Sequence, residues 1–119
     1  MSGKILVVDD ASFMRLMLKD ILEGAGFDGI LEAETSSHAL TLIEANKPKV
    51  VLLDITMPDI DGIDVLDKIK QVSPSTAVIM CTSMGQEEVV ETCFEHGADD
   101  FITKPFKAER IVQAVSKFI

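Results

Sequence analysis

The sequence predicts an α/β domain, a parallel sheet covered by helices on both faces. Five short apolar runs, "KILVV", "GILEA", "VVLL", "AVIMC" and "DFIT", alternate with longer segments of helical period. Three of these runs are almost continuously apolar, as strands buried on both faces are. Parallel neighbours need crossover connections, and the right-handed rule distributes the crossing helices over both sides of the sheet. A length of 119 residues, 47% hydrophobic and 26% charged, suits one compact domain with its own core, spanning 1–119.

The elements follow in order. After "KILVV", the segment "DDASFMRLMLKDILEGAGF" reads as an amphipathic helix with Ser12 as its N-cap. Met14, Met17, Leu18, Ile21, Leu22 and Ala25 share one broad face, and Gly24 and Gly26 provide the stop. Arg15, Lys19 and Glu23 fall at i, i+4 spacing on the other side, while Phe13 and Leu16 lie off the main apolar face as a small exposed patch. The second helix is expected from Ser36 to Asn46, with Ala39, Leu40, Leu42 and Ile43 inward and Pro48 ending it. "VVLL" then leads into Asp54 and the loop "ITMPDIDG", whose Asp59 and Asp61 read as turn carboxylates bonding their own backbone. A third helix from Gly62 to Val72 is closed by "SPS". A fourth, "QEEVVETCFEHG", stops at Gly97, and "KAERIVQAVSKFI" supplies the fifth. The methionines are mostly core by spacing. His38 and His96 have no liganding partners nearby in sequence, and His96 suits a helix C-terminus.

Eleven basic against twenty acidic residues give a net charge of -9, which repels phosphate backbones and anionic headgroups. Direct nucleic-acid binding is therefore not expected. No apolar run approaches the roughly 18 residues of a spanning helix, and "MSGKILVVDD" reaches acidic residues too early for a signal peptide. A cytoplasmic protein without membrane insertion is expected. Cys81 and Cys93, in neither a CxxC nor a Cys/His pattern, are expected as buried reduced thiols.

Mapping polar residues onto strand ends makes the chemistry visible. Asp9 and Asp10 follow the first strand, Asp54 the third, Thr82 and Ser83 the fourth, and Lys104 the fifth. All lie at carboxyl ends, the edge where open α/β sheets bind ligands. Three carboxylates without thiolate or imidazole form a hard oxygen site, suited to Mg2+ or Mn2+. That cation would also answer why a lone carboxylate, Asp54, ends a buried strand. A carboxylate beside a cation, with a hydroxyl and an ammonium close by, has what phosphoryl transfer needs. Asp54 would accept the phosphoryl group, Thr82 would donate to one of its oxygens, and Lys104 would pair with carboxylate and then with phosphate.

In order and spacing, "LVVDD", "VVLLDITMPDIDG", "MCTS" and "FITKPF" resemble the motifs of the receiver domain of two-component response regulators, over essentially the whole chain. The resemblance implies a flavodoxin-like, five-stranded parallel doubly wound sheet of order 2-1-3-4-5 with five helices; the chemotaxis regulator CheY is a standard example of that order. It implies Asp54 as the phosphorylated residue and Asp9 and Asp10 as the acid pair for Mg2+. Thr56 adds a backbone carbonyl to the ion, Thr82 is the switch hydroxyl, and Lys104 contacts phosphate ahead of a cis Lys104–Pro105 bond. Phe101 stands where many members have tyrosine, so its rotation toward Thr82 buries a ring without forming a hydroxyl hydrogen bond. At the two positions that tune water access in the family stand Thr56 and Met84. Neither positions an attacking water well, which predicts slow self-dephosphorylation.

The runs "DDASFMRLMLKDIL" and "CTSMGQ" are most similar to chemotaxis regulators of the CheY type. This implies a histidine kinase of the CheA type as phosphate donor, and a motor or adaptor protein reading the face made by the fourth helix, fifth strand and fifth helix. A separate phosphatase is a further partner. The domain is expected to be no enzyme beyond catalysing its own phosphorylation and dephosphorylation. Because the sequence ends with the fifth helix, the expectation is a stand-alone regulator whose output is another protein, the alternative being a piece of a larger or non-chemotaxis regulator. Two other classes compete. An aspartate-nucleophile phosphatase would want an aspartate two residues after its nucleophile, where Thr56 stands. A flavin carrier on the same topology would want a hydroxyl- and glycine-rich phosphate loop where this chain has "DDASF".

Overall fold

A computed structural model describes residues 4–55, 62–83 and 87–119. Five strands alternate with five helices: β1 (Ile5–Val8), α1 (Ser12–Gly24), β2 (Ile30–Ala33), α2 (Ser36–Asn46), β3 (Val50–Asp54), α3 (Gly62–Val72), β4 (Ala77–Thr82), α4 (Glu87–Glu95), β5 (Asp100–Thr103) and α5 (Ala108–Ser116). The strands form one parallel sheet of order β2-β1-β3-β4-β5, the expected doubly wound, flavodoxin-like arrangement.

Alternation along the central strands sorts the core into two layers. Leu6, Val8, Val51, Leu53, Val78 and Met80 face α2, α3 and α4, packing on Ala39, Ile43, Val65, Leu66, Ile69 and Cys93. Ile5, Val7, Val50, Leu52, Ile79 and Cys81 face α1 and α5, packing on Leu18, Leu22, Ile111, Ala114 and Val115. β1, β3 and β4 are buried along their whole length, which explains their unbroken apolar runs. The edge strands differ: β2 is only partly covered, and β5 alternates buried and exposed residues. Both cysteines are buried and in no disulfide, on opposite faces of the sheet.

The bounds of α2 and α3 coincide with those expected. Lys47, in the left-handed region at φ 47°, caps α2 one residue before Pro48. The start of α1 does not follow expectation. Its N-cap is Ala11, and Ser12 is already helical. No side chain caps the first turn; the Asp9 carboxylate instead accepts from the N–H of Ala11, the N-cap residue itself, at 2.9 Å. Ala25, expected on the inner face, is exposed because it already lies at the helix C-cap. Phe13 and Leu16 stand outward as expected, 70% and 58% exposed. Met80 is fully buried, and Met14 and Met17 are half-buried. Among the described residues no helix is long and apolar enough to cross a membrane.

Candidate functional site

Parallel register brings the polar strand ends to one edge. Val8 pairs with Leu53, Asp54 with Cys81, and Thr82 with Thr103, so the residues at or just past these positions share one level. Asp54 ends β3 and Asp9 follows β1, each only 2% exposed; Asp10 is exposed. One carboxylate oxygen from each of the three lies within 4.8 Å of the others. Lys104 enters from the end of β5, its Nζ 3.0 Å from Asp54 Oδ2 and 3.6 Å from Asp9 Oδ2. Its backbone N–H donates to the Thr82 carbonyl at 2.7 Å, and the Lys104–Pro105 bond is cis, as the sequence motif implied. Thr82 is buried at the end of β4.

The electrostatics follow from packing. Burial, together with the charge of Asp54, raises the Asp9 carboxyl above its ordinary value of 3.8, against the opposing pull of the Ala11 N–H and Lys104. Burial works against the Lys104 ammonium, but the hydrogen bond and charge of Asp54, with Asp9 beyond, outweigh it and raise Lys104 above 10.5. Burial also pushes the Cys81 thiol far up, with Asp54 adding to the effect, so it stays a neutral core residue beside the site. The buried carboxylates thus carry excess negative charge that the lysine only partly offsets.

A divalent cation fits this donor set. The oxygens are hard ligands of the kind Mg2+ takes, and one from each of the three carboxylates lies within 4.8 Å of the others, close enough for one ion to be shared. Thr56, whose carbonyl was expected to add a ligand, lies outside the described residues, as do Met84 and the turn residues Asp59 and Asp61.

Phe101 faces outward on β5, 36% exposed, with its ring edge-on to Phe94 of α4 at 6.1 Å between centroids. Arg110 of α5 donates to the Phe101 carbonyl at 2.7 Å and to Asp100 at 3.1 Å. The ring thus meets α4, while the Phe101 backbone is tied to α5. Phe94 was not singled out from the sequence, although its position on the exposed side of a glutamate-rich helix was a usable signal. His96 has a partner that the sequence did not suggest: its Nδ1 lies 2.8 Å from Asp67 Oδ1 on α3. Arg15, read as a solvent-side residue, is instead 14% exposed and reaches the Asp9 carbonyl at 2.7 Å and Glu32 Oε1 at 3.2 Å.

Comparison with known proteins agrees with this geometry. The response regulator receiver domain family matches residues 5–116. The chain is 46% identical over 117 residues to the chemotaxis protein CheY of Bacillus subtilis (strain 168), covering 98% of each. A crystal structure of a response regulator receiver domain protein from Clostridium thermocellum matches with a TM-score of 0.92 at 33% identity, over 98% of this chain and 94% of that one. NtrX from Brucella abortus matches with a TM-score of 0.91 at 35% identity over 99% of this chain, which spans 27% of that longer protein. A match along nearly the full length, on a sheet whose edge gathers Asp9, Asp10, Asp54, Thr82 and Lys104, places the chain in one family: it belongs to the response regulator receiver domains, which are signalling modules of two-component systems.

Proposed function

We propose that the chain is a phosphorylation switch in which Asp54 accepts a phosphoryl group from the phosphohistidine of a histidine kinase. One observation carries the reading: Asp54 is buried at the sheet edge with Lys104 Nζ at 3.0 Å and two further carboxylates within 4.8 Å. An Asp54 oxygen attacks phosphorus, the phosphorus–nitrogen bond of the donor breaks, and an acyl phosphate remains. Lys104 holds the attacking carboxylate and then a phosphoryl oxygen, and the Thr82 hydroxyl donates to another. Asp9, Asp10 and Asp54 would hold Mg2+, or Mn2+, with the Thr56 carbonyl. When bound, such an ion offsets the charge of the carboxylates and of the incoming phosphoryl oxygens. Asp54 acts as acceptor rather than as the nucleophile of a phosphatase turning over external substrates, since Thr56 offers no carboxylate to activate water.

Similarity to CheY of Bacillus subtilis favours chemotaxis signalling in the cytoplasm, with a CheA-type kinase upstream. The output surface is then α4, β5 and α5, where Phe101 turns inward toward the phosphorylated site and changes what a motor or adaptor protein meets. A phosphatase would be needed to reset a switch whose own hydrolysis is slow. Similarity to NtrX supports a second reading, a receiver that works within a larger regulator. The test is incubation with acetyl phosphate and Mg2+ followed by mass spectrometry of the intact chain. One phosphoryl group is expected on the native protein and none on Asp54→Asn; no metal-dependent gain on the native protein defeats the reading.

A further inference from the structure

We infer that Arg15 is a positioning residue for the cation-binding carboxylates, fixing the peptide that joins Asp9 to Asp10. This rests on the reading of Asp9, Asp10 and Asp54 as a divalent-cation site.

Arg15 sits one turn into α1, where its N–H bonds back to the Ala11 carbonyl. Its guanidinium is largely buried, so its charge and donors require partners. Those partners are not the carboxylates of the cluster. Nη1 donates to the Asp9 main-chain carbonyl at 2.7 Å, and Nε meets Glu32 on β2 at 3.2 Å. The planar fork spans the two acceptors at once, which a lysine cannot do. Glu32 matches the charge of Arg15, with Lys19 4.0 Å from its other oxygen. Arg15 therefore supplies geometry more than field.

The consequence for the site is direct. Four polar atoms of Asp9 are engaged: its N–H donates to the Ala33 carbonyl at 3.1 Å, its carbonyl accepts from Arg15, Oδ1 accepts from Ala11 N–H, and Oδ2 faces Lys104. The N–H bond anchors the plane before Asp9, and the Arg15 bond to the carbonyl anchors the plane leading into Asp10, so turning that second plane costs the Arg15 hydrogen bond. Asp10 is the exposed member of the cluster, and the direction of its carboxylate depends on that plane. Removing such a support behind a ligand typically weakens metal binding about tenfold or more.

The sign of the effect discriminates between positioning and charge. Arg15→Gln deletes a positive charge near a cation site and leaves Glu32 behind, so electrostatics alone would tighten Mg2+ binding. Positioning requires the opposite. The chain has no Trp or Tyr to report binding, so Mg2+ affinity is read by calorimetric titration, with folding checked by circular dichroism. The expected order of affinity is native, then Arg15→Lys, then Arg15→Gln about tenfold below native. Equal or tighter binding by Arg15→Gln overturns the inference. If that variant does not fold, Arg15→Lys, which keeps the charge and loses the fork, decides: at least a twofold loss is expected, and native affinity overturns it. Absence of Mg2+ binding by the native chain removes the cation-site reading first, a result distinct from a change among variants.

Discussion

Asp9 shows how a residue can serve a site at the expense of its fold. Its raised pKa means that the folded chain binds a proton there more tightly than the unfolded chain, whose value is near 3.8. In the absence of metal, the favourable contribution is complete at pH below that value and is lost as pH rises through the folded-state pKa. At neutral pH the ionised group is therefore a net cost. Asp9→Asn keeps an oxygen for the Ala11 N–H and removes the charge, so it is expected to raise the metal-free melting temperature. Mg2+ at a hundredfold excess over its Kd should stabilise the native chain by about 2.7 kcal/mol, and the same addition should leave Asp9→Asn nearly unmoved; thermal melts with and without Mg2+ check both. At this scale most of the site was legible. Asp9, Asp54, Thr82 and Lys104 announce themselves because each interrupts or ends an apolar run with a polar group that burial makes costly. Arg15 was not legible: its acceptor Glu32 lies beside it only because β2 neighbours β1, and residue spacing does not contain strand order.

Among the elements, β5 and α5 are tied through one carboxylate. The carboxylate of Asp100 accepts from the Phe101 N–H at 2.8 Å, from Arg110 at 3.1 Å and from Lys117 at 3.3 Å. Burial raises its pKa, but these donors outweigh burial and hold it below 3.8. The sign is the reverse of that for Asp9. Stability from Asp100 is fully present above 3.8 and is lost as pH falls through the lower folded-state value. Asp100→Asn is expected to cost about 1–3 kcal/mol at neutral pH and to show less loss on acidification than the native chain, by denaturant titration at pH 7 and pH 3. Helix bounds were legible where a chemical stop exists, as at Pro48 and in "SPS". The start of α1 was not, because its N-cap, Ala11, carries no capping side chain to mark it. Neither was the Phe94–Phe101 contact, which depends on how α4 lies over β5.

For the whole molecule, a net charge of -9 surrounds the three clustered carboxylates at one end of the sheet, the proposed cation site. That field draws divalent cations in, and salt screens its long-range part over about 8 Å at 0.15 M. Raising monovalent salt from about 10 mM to 150 mM should weaken Mg2+ binding without abolishing it, since two of the three carboxylates are buried; calorimetric titration at the two ionic strengths checks this. Loss of all binding would mean a diffuse counterion atmosphere rather than a site. The fold class was legible at this scale because unbroken apolar runs exclude a one-sided sheet, whereas strand order came from resemblance. The position of Lys104 has a consequence for how the protein comes into being. As the chain leaves the ribosome, all three aspartates emerge well before the lysine that meets two of them. Every shorter nascent chain must bring those acids together without it. Synthesis thus delivers the clustered acids first and their internal counter-charge with β5, so it is the Lys104–Asp54 contact, rather than the acid cluster, that certifies that this strand has joined the sheet.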